Sequence, residues 1–171
     1  MLHIAEAQVR EALPVARAIE LVEESFRRLD DGRAINHPRR RIALGNRAVL
    51  HAMEAGDNAS GLFAAKIYAT RPGAGAHFVV TLFDAETTEL LATIEADELG
   101  RIRTGAASGV ATKHLAREDA ATLALLGAGW QAETQLEAVA AVRRLADVRV
   151  FSRTAEKREA FAQRMAEKLG L

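Results

Sequence analysis

Between Leu13 and Leu29 the apolar residues Val15, Ile19, Leu21, Val22, Phe26 and Leu29 recur at helical spacing and predict one amphipathic helix. Pro14 suits its first turn, where the missing N–H would have had no partner, and Asp30-Asp31-Gly32 closes it. The period then falls to two. Residues 41–44 and 48–53 read as strands around a tight turn at Gly45-Asn46, although Arg47 leaves their register undetermined. Runs rich in Val, Ile, Phe, Leu and Thr over 61–69, 77–83 and 89–95 predict three more strands, with turns at 71–75 and 84–88. Small residues and helix formers take over at 104–116. Beyond them, 121–126 is a continuous apolar run ending in Gly, as in a parallel strand covered on both faces. A helix over 131–145, a strand over 148–151 and an amphipathic helix over 154–169 follow. That order opens a doubly wound sheet, so the fold class is α/β.

The 171 residues are 49% hydrophobic and 27% charged, enough for a real core and too apolar for global disorder. Lys and Arg (23) balance Asp and Glu (23), so no whole-chain basic field exists to hold nucleic acid or an acidic membrane. The absence of Cys removes disulfides, thiolate zinc sites and cysteine nucleophiles. No basic leader precedes an apolar stretch and no run of ~18 apolar residues occurs, so a cytoplasmic protein without a membrane span is expected. His3, His37, His51, His77 and His114 show no metal-ligand spacing, and no GxSxG motif supports a hydrolase.

Gly127-Ala128-Gly129-Trp130-Gln131-Ala132 carries the pattern Gly-x-Gly-x-x-Ala between a strand and a helix, the context that makes it a dinucleotide-binding turn. Gly127 permits the tight turn, and Gly129 lets the backbone approach a pyrophosphate at the helix N-terminus. Ala132 lets the helix pack close to the strand. The next strand ends in Phe151-Ser152-Arg153-Thr154, where an acid would bind the ribose hydroxyl of NAD. Ser152, Arg153 and Thr154 are donors instead, which favours the 2′-phosphate of NADP; alternatively, Arg153 is a solvated helix-start residue.

Arg39-Arg40-Arg41 is the densest basic cluster. It reads either as a solvated edge or as a clamp for a carboxylate, which the planar guanidinium binds bidentately. Lys66 interrupts an apolar strand and either snorkels from an edge or is partly buried for a purpose. Arg103 precedes the small run 104–109, which serves either a ligand or tight helix packing.

Taken together, the Pro38-Arg39-Arg40 segment, Lys66, the stretch TLFDAETTELLATIEADELGRIRTGAASGVATKHLA, LGAGWQA and VFSRT resemble the ornithine cyclodeaminase/mu-crystallin family over essentially the whole chain. The resemblance implies an N-terminal α/β domain for substrate binding and dimerisation over 1–117. The incomplete start of a Rossmann domain over 118–171 would follow. It also implies an NAD(P)-dependent enzyme of amino-acid metabolism. The expected reaction is cyclodeamination of ornithine to proline, reduction of a ketimine or imino acid, or amino-acid dehydrogenation. A non-catalytic NADP- and ligand-binding protein of the mu-crystallin type is the alternative. Carried over by residue, Arg40 (with Arg39 behind it) and Arg103 hold the substrate carboxylate, and Lys66 is the active-site lysine facing Arg103 and the dinucleotide turn. Thr104 contacts cofactor phosphate, and Gly127, Ala128, Gly129, Trp130 and Gln131 with Ser152, Arg153 and Thr154 bind the nucleotide. A homodimer and a small amino- or imino-acid substrate are the expected partners. Relatives of this family are roughly twice as long, so the chain is expected to be a fragment that does not turn over alone.

Overall fold

A computed structural model describes residues 1–170. In chain order the elements are β1 (Leu2–Ile4), α1 (Glu6–Ala12), α2 (Val15–Asp30), β2 (Ala34–Asn36), β3 (Arg40–Ala43), β4 (Val49–Asp57) and β5 (Leu62–Thr70). They continue with β6 (Val79–Asp84), β7 (Leu90–Glu95), α3 (Asp97–Leu115), β8 (Thr122–Leu126), α4 (Trp130–Val142), β9 (Asp147–Phe151) and α5 (Ala155–Leu169). Two compact units result: Met1–Leu13 with Glu24–Gly100, and Pro14–Glu23 with the chain from Arg101 on. The division therefore runs through α2 and α3, whereas the sequence suggests a boundary at 117/118.

The first unit is a seven-stranded sheet in the order β1-β7-β6-β5-β4-β2, with β3 also paired to β4. Only β1 with β7 is parallel; the other ladders are antiparallel. Short β1, α1 and β2 carry too few residues to show a period, and the sequence pattern does not reveal them. Side chains alternate across the sheet. On one face, the C-terminal half of α2 packs toward Leu62, Ala64 and Leu82, leaving a cavity of ≈ 410 Å³. Arg28 pins that helix by donating to Asp57 on β4 at 2.5 Å. The opposite face leaves Ile35, Ile42, Leu50, Phe63, Ile67 and Val79 exposed.

Helix α3 begins at Asp97, seven residues before the expected start. The reason is tertiary. The Glu6 carboxylate accepts the N–H groups of Asp97 and Glu98 at 2.7 and 2.8 Å, satisfying two donors that a helix end leaves open. Asp97 in turn accepts the Phe78 N–H at 2.8 Å.

In the second unit, β8 and β9 pair in parallel and bury one face against α4 and α5. Leu136, Phe161 and Met165 form the centre, flanked by Leu123, Leu125, Val148 and Val150. The expectation that the 121–126 strand is covered on both faces is corrected here. Leu126 is 83% and Phe151 61% exposed, because only helices on one side of this two-stranded sheet meet it. Gly105 of α3 lies against α4; a Cβ there would sit 2.3 Å from the Thr134 carbonyl oxygen. The small run after Arg103 thus serves close helix packing at Gly105.

Candidate functional site

In the second unit, β8 ends at Leu126 and the chain turns sharply through Gly127, whose φ of +112° strongly favours glycine. The Gly127 N–H donates to the Phe151 carbonyl at 2.7 Å, tying the turn to the end of β9. Gly129 is the N-cap of α4 and no side chain caps that end; Ala132 N–H turns back to the Gly129 carbonyl at 3.0 Å, and the N–H groups of Trp130 and Gln131 before it can meet an anion. A Cβ at Gly129 would meet nothing within 4 Å, which is the clear approach a pyrophosphate needs. Around this turn lies a cavity of ≈ 410 Å³ lined by Gly127, Ala128, Gly129, Phe151, Ser152, Arg153, Thr154 and Lys157. Two sequence segments singled out for the nucleotide therefore line one cavity, and these residues fit a dinucleotide. Lys157 joins them from the first turn of α5. Its spacing from Arg153 and Thr154, one helical turn, is the signal that could have revealed it.

Trp130 and Gln131 start α4 but do not line that cavity. The Trp130 ring instead carries the Arg101 guanidinium 5.2 Å from its centroid. Arg101 also donates to Glu133 at 3.1 Å, and Arg164 donates to the same carboxylate at 2.6 Å. Arg103 is exposed and Thr104 half-buried on α3, in the same unit; neither lines the cavity.

The remaining candidates belong to the first unit. Lys66 is half-buried on β5, across the ladders from Met53 and Val80. Its Nζ lies 5.4 Å from the Tyr68 ring centroid and 5.1 Å from that of Phe78, so aromatic faces meet the ammonium. His51 stacks on Tyr68 with centroids 4.4 Å apart and planes 7° from parallel. His51 and Tyr68 are each 8% exposed.

Register decides which arginine joins this group. Arg41 pairs with His51, and His51 with Tyr68, so all three share the face of Lys66. Arg39 reaches the same place, with its guanidinium 5.9 Å from the Tyr68 centroid. Arg40 pairs with Ala52 and points to the other face, where it binds Glu54. The expectation for Arg40 is thus corrected: Lys66 shares its face with Arg39 and Arg41. A one-residue change of register exchanges the two faces, and here the five-residue connection 44–48 sets it. Burial first, then the charges of Arg39 and Arg41, hold the His51 imidazole below its ordinary pKa of 6.5. His51 was legible only as a histidine without ligand spacing; its alternation with Met53 was the available signal.

The family model of the ornithine cyclodeaminase/mu-crystallin family matches residues 2–171. A Δ1-pyrroline-2-carboxylate reductase of Bacillus cereus is 53% identical over 92 residues, 54% of this chain and 28% of that protein. The iminosuccinate reductase of Paracoccus denitrificans is 32% identical over 155 residues, covering 86% of this chain and 48% of the relative. Among solved structures, the Thermococcus litoralis Δ1-pyrroline-2-carboxylate reductase in complex with NADH and L-proline superposes with a TM-score of 0.92 at 32% identity. That match takes in all of this chain and 55% of the other. The chain thus spans about half the length of that solved relative, and less of the curated reductase. No helix among the described residues is long and apolar enough to cross a membrane.

Proposed function

This chain belongs to the ornithine cyclodeaminase/mu-crystallin family, and we propose that it works as the substrate-binding and nucleotide-binding half of an NAD(P)H-dependent reductase of a cyclic imino acid. The observation that carries this reading is the single cavity joining Gly127–Gly129 to Ser152–Thr154, in a chain 53% identical over 92 residues to a pyrroline-2-carboxylate reductase. When bound, the nicotinamide supplies the hydride that an imine carbon accepts. The chain's own residues do the rest. Arg39 and Arg41 bind the α-carboxylate with planar forks, and Lys66 lies on their face to meet the imine end of the substrate. In the second unit, Thr104 contacts cofactor phosphate. The open N–H groups of α4 receive the pyrophosphate.

Steady-state oxidation of NADPH and NADH by the full-length protein that carries this half tests this reading, with 1-pyrroline-2-carboxylate, a six-membered ketimine and iminosuccinate as substrates. Ornithine with NAD⁺ tests the cyclodeaminase reading. Turnover with a cyclic imino acid is expected. Nucleotide binding without turnover of any of these would favour the non-catalytic mu-crystallin-type reading instead.

Arg153 and Lys157 put two cations beside Ser152 and Thr154 where the adenine ribose would lie, so NADP is the preferred nucleotide. Arg153→Ala should weaken NADPH by about tenfold and leave NADH nearly unchanged, a loss of roughly 1.4 kcal/mol. Equal effects on both nucleotides would show that Arg153 does not meet a 2′-phosphate.

The exposed apolar face of the first unit's sheet supports a homodimer through that unit, because such a patch on a lone chain favours association. Sedimentation should give a dimer at micromolar concentration; a clean monomer would count against it.

A further inference from the structure

Within the first unit, Arg39, His51 and Lys66 meet the Tyr68 ring, and Arg41 lies across the ladder from His51 on the same face. One of them has an atom left over. His51 Nε2 lies 2.9 Å from Thr70 Oγ1, while its Nδ1 is buried and has no hydrogen-bond partner. The ring cannot turn to find one without giving up the Thr70 contact or the near-parallel stack on Tyr68. A buried polar atom held in one direction calls for a partner that arrives in another state of the protein.

The surroundings say which kind. Arg41 sits directly across the β3–β4 ladder from His51, in the position where cross-strand side chains meet. With Nε2–H donating to Thr70 Oγ1, Nδ1 is left as the acceptor, the neutral form that the nearby charges of Arg39 and Arg41 favour. Glu54 lies on the other face with Arg40 and is no competitor.

We infer that His51 is a positioning residue for the carboxylate-binding arginine: its Nδ1 accepts an N–H from Arg41 when an anionic substrate draws that guanidinium in, fixing the fork in one orientation. This rests on the reading of Arg39 and Arg41 as the carboxylate site. One N–H of Arg41 goes to the imidazole, leaving its paired donors for the two carboxylate oxygens. A fixed fork loses less freedom on binding than one that must be ordered by the substrate itself.

The test uses L-proline binding to the full-length protein that carries this half, in the presence of NADH, a pair that cannot react together. His51→Phe keeps a flat ring against Tyr68 and removes both nitrogens, whereas His51→Gln restores an amide acceptor. His51→Phe should weaken L-proline at least tenfold, raise KM for 1-pyrroline-2-carboxylate far more than it lowers kcat, and leave NADH affinity within twofold. His51→Gln should recover most of the loss, which a purely structural role would not grant to a flexible amide. Arg41→Met checks the underlying site. If Arg41→Met weakens L-proline but His51→Phe does not, or if Phe and Gln are equally weak, the inference is overturned and the carboxylate reading stands. If neither Arg41→Met nor Arg39→Met has any effect, the carboxylate reading fails and takes the inference with it. Should His51→Phe not fold, Thr70→Val releases Nε2 and carries the test. At least a threefold weakening of L-proline with NADH unchanged is expected, and no weakening overturns the proposal.

Discussion

In the full-length protein that carries this half, Lys66→Met should lower turnover by at least about 100-fold while NADH affinity stays within about twofold, the scale of losing a group that acts on protons or charge in the reaction. The substitution keeps the length of the side chain and removes only the ammonium. Its surroundings can take a thioether: the Lys66 Nζ lies over Tyr68 and Phe78, and Met53 and Val80 flank it across the ladders. The first unit should therefore keep its melting behaviour. Nucleotide affinity should hold because Gly127–Gly129 and Ser152–Thr154 belong to the second unit. Steady-state oxidation of NADPH with 1-pyrroline-2-carboxylate, paired with NADH binding, reads both quantities. A kcat near that of the unaltered protein would show that Lys66 is no part of the chemistry.

The second large effect is on stability. Gly105→Ala places a methyl group 2.3 Å from the Thr134 carbonyl oxygen, 2.6 Å from its carbon and 2.9 Å from its Cβ. Backbone atoms cannot rotate aside, so α3 and α4 must separate. Thr134 is 1% exposed and donates from Oγ1 to the Arg101 carbonyl at 3.0 Å, a bond that the separation would stretch. Overpacking of this kind costs about 1–3 kcal/mol, which lowers Tm by roughly 3–10 °C. Gly109→Ala supplies the comparison. There the nearest atoms are the end of the Ile19 side chain at 3.0 and 3.1 Å, which can shift, with the Ala138 carbonyl oxygen at 3.2 Å. Calorimetry should rank Gly105→Ala well below Gly109→Ala. Equal melting points would mean that α3 and α4 are not held this close.

Long elements were legible because each buries one face and so repeats its apolar residues at the period of its backbone. The stripe from Val15 to Leu29 is α2, with its N-terminal boundary beside Pro14 and its end at Asp30. The alternating runs are β4 to β7, and the Gly-x-Gly-x-x-Ala turn stands between β8 and α4. Short pieces were not legible. β1 has three residues, and its place beside β7 comes from pairing across most of the first unit's sequence. The early start of α3 was hidden for the same reason, since the carboxylate that caps it comes from Glu6 on another helix.

The glycine turn and the end of β9 could be read from sequence alone because their geometry is local: a turn that needs positive φ, an open helix end, and donors at the end of the next strand. Even so, only the folded chain brought Lys157 into the same cavity and set Arg101 on the Trp130 ring. The basic cluster shows the limit more sharply. Three consecutive arginines offer both faces of a strand, and nothing in their order says which face holds Lys66. The pairing of β3 with β4 decides it, placing Arg41 with His51 and sending Arg40 to Glu54. Sequence determines which side chains are available, the period of each element and the glycines a turn requires. Faces, registers and partners are fixed by contacts between residues far apart in the chain, and a shift of a single residue in one ladder exchanges them all.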